Sequence, residues 1–114
     1  MTDKIVVMVA CGSQREAHTI AKFLVSRRLA ACVQQIGGGI HSTYRWKGKV
    51  ESAKEFLLLI KTTRKRFAAV SAAIRKLHSY EVPEIIALEV CAGWPAYLRW
   101  ITSSVSSLPA DSRR

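Results

Sequence analysis

Phe56-Leu57-Leu58-Leu59-Ile60 is the stretch that decides the fold, because five consecutive apolar residues leave neither face of a strand polar. Its flanks extend this central strand over residues 55–62. A second run, Ile5-Val6-Val7-Met8-Val9, predicts a buried strand over residues 4–10. Two strands that are apolar on both sides belong in the middle of a sheet, and both faces of that sheet need a cover.

The rest of the chain supplies three more strands and three helices around this pair. The strands are predicted at residues 30–36, 40–46 and 84–90, with Lys47-Gly48-Lys49 as a hairpin turn. Apolar residues that recur every three or four positions predict helices at residues 13–28, 63–77 and 96–103. Ser13 is the expected N-cap of the first helix, with Glu16 as its capping-box partner. The order βαββαβ predicts an α+β fold, a ferredoxin-like sandwich with a long hairpin and a short C-terminal helix.

The composition bounds the size and the partners of the protein. A chain of 114 residues that is 49% hydrophobic can bury one core, so we expect a single domain over residues 1–105 and a polar tail over 106–114. Its 18 Lys and Arg against 8 Asp and Glu give a net charge of +10. That excess favours an anionic partner such as nucleic acid, a phosphate metabolite or an acidic surface, although charge alone says nothing about chemistry.

Cysteine usage and hydropathy bear on the compartment. Cys11, Cys32 and Cys91 are odd in number and form no CxxC pair, which argues against a disulfide framework and for a reducing compartment. The apolar run near the N-terminus is far shorter than a membrane span. We therefore expect a cytoplasmic protein with no membrane segment.

The segment His78-Ser79-Tyr80-Glu81-Val82-Pro83-Glu84 concentrates groups that can donate, accept or ligate. Pro83 stops the preceding helix, so these groups lie at a helix-to-strand corner that is held rigidly on both sides. The imidazole of His78 with the thiols of Cys11 and Cys32 would suit copper or zinc, although the three have no sequence-local metal spacing. The same side chains could instead fill a core or a subunit cleft.

Catalysis receives little support from the sequence. Cys32 with His78 is the nucleophile-and-base pair that the fold could bring together, and Cys32 lies in an apolar strand where thiols are usually inert. No phosphate loop, nucleophile elbow or HExxH motif occurs. We therefore expect a protein that is not an enzyme.

The two apolar strands also bear on the partners. An RNA-binding sheet of this fold needs exposed aromatic residues on its central strands, and only Phe56 is aromatic there, so no nucleic-acid partner is expected. The helices can cover one face of the sheet, and a symmetric oligomer is the natural cover for the other. Tyr44 and Trp46 lie on one face of the hairpin tip, either as subunit contacts or as a platform for a ligand.

Several stretches of the chain resemble, in order and spacing, the CutA divalent-cation tolerance family. They are Arg28-Leu29-Ala30-Ala31-Cys32-Val33, Ser42-Thr43-Tyr44-Arg45-Trp46-Lys47-Gly48-Lys49-Val50-Glu51, Leu59-Ile60-Lys61-Thr62-Thr63, Leu77-His78-Ser79-Tyr80-Glu81-Val82-Pro83-Glu84-Ile85-Ile86-Ala87-Leu88 and Tyr97-Leu98-Arg99-Trp100. The resemblance spans roughly residues 5 to 101.

This resemblance implies a ferredoxin-like subunit in a tight homotrimer, in which the hairpin reaches into a neighbour and the C-terminal helix with Trp100 helps to close the interface. It also implies a role in tolerance of divalent metals, copper especially. His78 matches the histidine implicated in copper binding, and Cys11 is the candidate to replace a metal-linked cysteine that some members have where Val9 stands here. The cleft between subunits is expected to gather Cys32, Lys61, His78, Tyr80 and Glu84.

Two functions are therefore predicted. The first is a trimeric CutA-like protein that binds copper, another divalent metal or a small ligand at intersubunit clefts around His78. The alternative is a PII-like trimeric signalling protein that binds an anionic metabolite or nucleotide, because such trimers bind nucleotides in their clefts and Arg64-Lys65-Arg66 supply positive charge.

Overall fold

The computed structural model of the chain describes residues 2–106. Its elements are β1 (Lys4–Cys11), α1 (Gln14–Ser26), β2 (Cys32–Gln35), β3 (Ile40–Trp46), β4 (Lys49–Thr63), a 3₁₀ turn (Arg64–Arg66), α2 (Phe67–Leu77), β5 (Ile85–Glu89) and α3 (Pro95–Ser104). Almost all of the polar tail predicted over 106–114 lies outside the described residues. No helix in the described range is long and apolar enough to cross a membrane.

The sheet has the strand order β2-β4-β1-β5, and every neighbouring pair is antiparallel. The two strands predicted to be apolar on both faces, β1 and β4, occupy its centre, with Val7 opposite both Ile60 and Ala87. β3 pairs with the outer half of β4 and forms the long hairpin, from Ile40 opposite Glu55 to Trp46 opposite Lys49. The ferredoxin-like α+β fold predicted from the sequence is confirmed.

One face of the sheet packs against α1 and α2 and forms the main hydrophobic core. Alternate residues of the central strands, such as Val7 and Ile60, are fully buried there. The helices contribute the apolar stripes predicted from their periodicity, including Ile20, Leu24 and Ile74. Burial of each such side chain contributes roughly 1.5–3 kcal/mol, so this layer holds the end of α2, where the candidate site begins, in a fixed position.

The opposite face of the sheet, called here the open face, is also apolar. Its large apolar residues on the three strands β1, β4 and β5 are Val6, Met8, Leu57, Leu59, Ile86 and Leu88, and Lys61 lies on the same face opposite Val6. Ile86 and Leu88 are 49% and 51% exposed, well above what a large aliphatic side chain shows in a core. Ile101 and Val105 of the α3 region pack with Ala31 and Trp100 in a small separate core. The rest of the open face still needs a cover.

Three of the element boundaries that differ from those predicted have a clear local reason. β4 begins at Lys49 instead of residue 55, because pairing with β3 carries it through residues that have no strand pattern of their own. α1 ends at Ser26, since Arg28 adopts a left-handed φ of 58° that a helix cannot continue through. α2 begins at Phe67, because the residues before it form the 3₁₀ turn.

Candidate functional site

The helix-to-strand corner singled out from the sequence begins where α2 ends. Leu77 is the last residue of α2, and His78 has an extended backbone with its N–H still bonded to the carbonyl of Ile74 at 2.8 Å. This change of direction turns the imidazole of His78 inward toward the end of β1, and only 8% of the residue is exposed. His78 is therefore a buried residue whose surroundings are rigid.

The hydrogen bonds of His78 determine its tautomer. Nε2 lies 2.8 Å from the carbonyl oxygen of Ala10, which can only accept, so Nε2 carries the hydrogen. Nδ1 accepts a hydrogen bond from the backbone N–H of Tyr80 at 3.1 Å. The ring is thus a neutral imidazole whose Nδ1 lone pair points into the protein.

Cys11, Glu16 and His78 form a buried cluster of three metal-ligating groups. One ligand atom of each lies within 4.8 Å of the other two. Oε2 of Glu16 lies 3.4 Å from Nδ1 of His78 and is buried without a hydrogen-bond partner, whereas Oε1 accepts the N–H of Ser79 at 3.2 Å. An orphaned buried carboxylate oxygen is costly, and it is the observation that a missing ligand would explain.

The donor set of this cluster fits a borderline or soft metal. Thiolate, carboxylate and imidazole are the ligands of zinc and copper sites. A ligating histidine typically donates its other ring N–H to a carbonyl or carboxylate, as Nε2 of His78 does to Ala10. That bond leaves Nδ1, the nitrogen nearer to Glu16, as the candidate ligand atom, and a metal would have to displace the N–H of Tyr80 from it.

The thiol of Cys11 is protonated at neutral pH. Burial first, and then the charges of Glu16 and Glu55, raise the pKa of this thiol to about 12. A protonated thiol is a weak nucleophile, so the cluster lacks the activated group that covalent catalysis requires. A metal would have to displace the thiol proton in order to bind.

Sequence reasoning missed the part that Glu16 plays here. Ser13 caps α1 as predicted, since its Oγ accepts the N–H of Glu16 at 3.1 Å. The carboxylate, however, does not return to Ser13 as in a capping box, and contacts Ser79 and His78 instead. Ser79 is 63 positions away in the chain, so no local pattern could have revealed this contact.

Tyr80 and Glu84 line a neighbouring groove with a volume of about 870 Å³ between the corner and the hairpin. Tyr44 and Trp46 of β3, predicted as trimer contacts, lie on its hairpin side and are 40% and 36% exposed. The phenol of Tyr80 donates to Oε2 of Glu55 at 2.8 Å, and both residues line the groove. The carboxylates that line it are Glu51, Glu55, Glu81 and Glu84.

The carboxylates that line this groove disfavour the binding of an anion. Burial, and next the charge of Glu55, raise the pKa of Glu84. Burial, the hydrogen bond to Glu55 and its charge likewise raise the pKa of Tyr80. Outside the groove, Arg64 pairs with Glu89 at 2.9 Å and Arg66 donates to the carbonyl of Val105, so two of the three cations proposed for an anionic ligand are engaged elsewhere. The alternative of a PII-like anion site gains no support from this geometry.

Cys32 and Lys61 lie apart from the other predicted site residues. They are register partners on β2 and β4, whereas Cys11 lies opposite Phe56, five positions further along β4. At about 3.3 Å per residue the two pairs are roughly 17 Å apart, and strand alternation places them on opposite faces of the sheet. Lys61 donates to Gln34 at 2.6 Å. Within one chain the structure therefore brings together Cys11 with His78, but not Cys32 or Lys61.

Trp100, the third predicted trimer contact, also lies away from the corner. It is partly buried against the small core of α3 and stacks on Tyr97 with ring centroids 5.5 Å apart. The predicted interface residues therefore occupy two separate regions of one chain, the groove and α3.

Known proteins that are similar to this chain decide its family. The model of the CutA1 divalent ion tolerance protein family matches residues 5–104. The chain belongs to the CutA1 family. The divalent-cation tolerance protein CutA of Thermus thermophilus is 47% identical over 96 residues, which are 84% of this chain and 92% of that protein.

Other CutA proteins agree in sequence and in structure. Protein CutA of Mus musculus is 45% identical over 102 residues, covering 87% of this chain and 57% of the longer mouse protein. The crystal structure of CutA from Xylella fastidiosa superposes with a TM-score of 0.89 at 41% identity, covering 92% of this chain and all of that one. The resemblance noted from the motifs is confirmed, and the family name describes tolerance of divalent ions without naming a reaction.

Proposed function

We propose that this CutA1-family chain serves divalent-cation tolerance by binding a soft or borderline metal, copper or zinc, through Cys11, Glu16 and His78. The observation that carries the proposal is the buried cluster in which three different ligand types lie within 4.8 Å and one carboxylate oxygen has no partner. A site of three protein ligands suits a metal that completes its coordination with water or another small ligand.

Each residue of the cluster has a distinct role in this proposal. Cys11 supplies the soft thiolate that favours copper or zinc over magnesium or calcium. His78 supplies Nδ1, and its bond from Nε2 to Ala10 fixes the ring orientation. Glu16 supplies negative charge that offsets the metal charge inside a region of low dielectric.

Calorimetric titration with zinc or copper tests the site. We expect His78→Ala to weaken binding at least about tenfold, as loss of a ligand should. His18→Ala is the matched control, since His18 is exposed on α1 and belongs to no ligand cluster in the described residues, and it should bind like the wild type. Absence of binding to the wild type, or equal binding by His78→Ala, would overturn the proposal.

The thiol of Cys11 makes the binding pH-dependent. Because its pKa is raised to about 12, the metal must expel one proton at neutral pH, and the apparent affinity should rise about tenfold per pH unit below that pKa. Titrations in buffers of different ionisation enthalpy measure the released proton. Cys11→Ser should abolish the release, and release that persists in this variant would place the metal elsewhere.

We further infer that the functional unit is a homotrimer. The open face supports this, because its exposed aliphatic side chains need a cover that the chain does not itself supply. The split position of the predicted cleft residues supports it as well, since a neighbouring copy could bring Cys32 and Lys61 to the corner that carries His78. Free thiols at Cys11, Cys32 and Cys91 support a reducing compartment, the cytoplasm, as its location.

A further inference from the structure

The outward surface of α1 and α2 carries positive charge with no exposed carboxylate. Its exposed cationic residues, called here the basic helix face, are Arg15, Lys22, Arg27, Lys65, Arg75 and Lys76. Glu16 is the one acidic residue of these two helices, and its carboxylate is turned inward to Ser79 and His78. None of the six cations forms an ion pair within residues 2–106.

The packing of the two helices arranges these cations along one surface. The N–H of Ser79, just after α2, bonds to Glu16 at the start of α1, so the C-terminal end of α2 lies beside the N-terminal end of α1. Arg15 therefore shares one end of the surface with Arg75 and Lys76. The hydroxyl of Thr62 bonds to Leu29 at 2.7 Å, which brings the other end of α1 close to the start of the segment that leads into α2.

We propose that the basic helix face binds the phosphate backbone of double-stranded nucleic acid without sequence preference. α1 is 13 residues long and thus about 20 Å, a length over which one strand of a duplex presents roughly six phosphates. Cations at both ends of the surface and at Lys22 between them match such a repeating anion better than they match one small metabolite.

The other residues of this surface argue against two other polyanionic partners, a lipid bilayer and single-stranded nucleic acid. The exposed apolar residues of the two helices are Val25 on α1 and the alanines Ala68, Ala69 and Ala72 on α2, which are too few and too small to anchor the surface in a lipid bilayer. Phe23 and Phe67 are packed against the core, so no exposed aromatic ring of the two helices can stack on an unpaired base. A rigid, regularly charged duplex remains the best match. Binding of a duplex on the helices is a different mode from RNA binding on the sheet, which the aliphatic central strands rule out.

The acidic residues are concentrated on another part of the molecule. Four of the eight carboxylates in the whole sequence line the groove beside the hairpin, which a duplex should avoid. In the proposed trimer the open face is covered, and the helices on the opposite side of the sheet stay outside. The inference accounts for the net charge of +10, which a metal site does not require, and it stands independently of the proposed metal binding.

Fluorescence anisotropy with a labelled 24-base-pair DNA duplex tests the proposal. We expect the wild type to bind at 50 mM KCl and to weaken steeply as salt rises. The triple variant Arg15→Gln, Lys22→Gln, Lys76→Gln should bind at least tenfold more weakly at 50 mM KCl. In a plot of log affinity against log salt concentration, the slope of this variant should be shallower than that of the wild type by about 2.7, because each lost phosphate contact removes about 0.9.

The hairpin offers a control with the same loss of charge. Arg45→Gln, Lys47→Gln, Lys49→Gln removes three exposed cations that lie outside the basic helix face, and it should bind the duplex like the wild type. Circular dichroism and size-exclusion chromatography confirm that both variants keep the fold and assembly of the wild type. Equal weakening in both variants, no binding by the wild type, or binding to anionic lipid vesicles in place of the duplex would each overturn the proposal.

Discussion

Among the single residues, Glu55 is the one whose burial most needs an explanation. It is only 7% exposed, and a buried carboxylate is costly unless donors compensate it. The phenol of Tyr80 supplies one such donor at 2.8 Å. This bond joins the hairpin strand β4 to the corner after α2, two segments whose relative position defines the groove.

Replacement of Tyr80 by phenylalanine should therefore destabilise the fold by about 1.5–3 kcal/mol, the range for hydrogen bonds to charged groups. Urea unfolding measures the difference. Tyr97→Phe is the control, because no hydrogen bond of its hydroxyl occurs in the described range, and it should change stability by less than about 0.5 kcal/mol. Equal losses in the two variants would remove the special role of the Tyr80 phenol.

The pH dependence of this contribution has a definite sign. The pKa of Tyr80 is raised in the folded protein, so the unfolded phenol ionises first, near its ordinary value of 10.0. The stabilising contribution is then fully present below pH 10 and is lost as the pH rises further. The stability difference between the wild type and Tyr80→Phe should thus shrink above pH 10, and a difference that grows there would contradict this origin.

Local sequence could predict some of these residue positions and not others. His78 and Cys11 were predicted as candidate ligands, and the structure places them in one cluster, although their metal binding stays a prediction. Glu16 could not be found in this way, because its role depends on Ser79 across the packed ends of two helices. Cys32 was expected in the same site, and the register of β2 against β4 shows that one chain alone cannot bring it there.

At the level of elements, the hairpin departs furthest from prediction. The inner part of β4 could be predicted because its apolar run is typical of a buried central strand. Its outer part is polar on both sides and becomes a strand only through pairing with β3. The chain reaches β3 by a bend at Gly37-Gly38-Gly39. Gly39 has a φ of 112°, and its Cα packs closely against β4.

Gly39 should be the sensitive position of this bend. A Cβ there would lie 2.9 Å from Cε of Lys54 and 3.1 Å from the carbonyl oxygen of Glu55, in a conformation that L residues rarely adopt. We expect Gly39→Ala to destabilise the protein by about 1–3 kcal/mol in urea unfolding. Gly38→Ala is the matched control, since a Cβ there would meet nothing within 4 Å and should be nearly neutral. The reverse order of the two variants would refute this account of the bend.

For the whole molecule, the shape and the two different faces of the sheet determine how copies of the chain can assemble. The chain measures 47 × 27 × 25 Å, an elongated form that reflects the projecting hairpin. The helix side is a closed core, whereas the open face leaves Leu88 half exposed. A two-sided apolar pattern predicted the need for a partner, but nothing in a single sequence fixes how many copies assemble.

A charged substitution on the open face should separate the subunits. We expect the wild type to elute at about three times the 12.7 kDa mass of one chain, and Leu88→Glu to dissociate into monomers. Val25→Glu adds the same charge on the outer side of α1, where the side chain is 43% exposed, and should leave the assembly intact. Light scattering after size-exclusion chromatography measures the mass, and a monomeric wild type would contradict the trimer.

Tyr80 is attached to the molecule at both of its ends. Its backbone N–H bonds to Nδ1 of His78, while its phenol bonds to Glu55, which also lines the groove. A metal bound at Nδ1, as proposed above, would have to displace the first bond, and the backbone of Tyr80 would then be free to shift together with its ring, which lines the groove. Occupancy of the buried cluster would in that case change the shape of the groove, and by thermodynamic reciprocity a molecule bound in the groove would alter the affinity for the metal by the same factor.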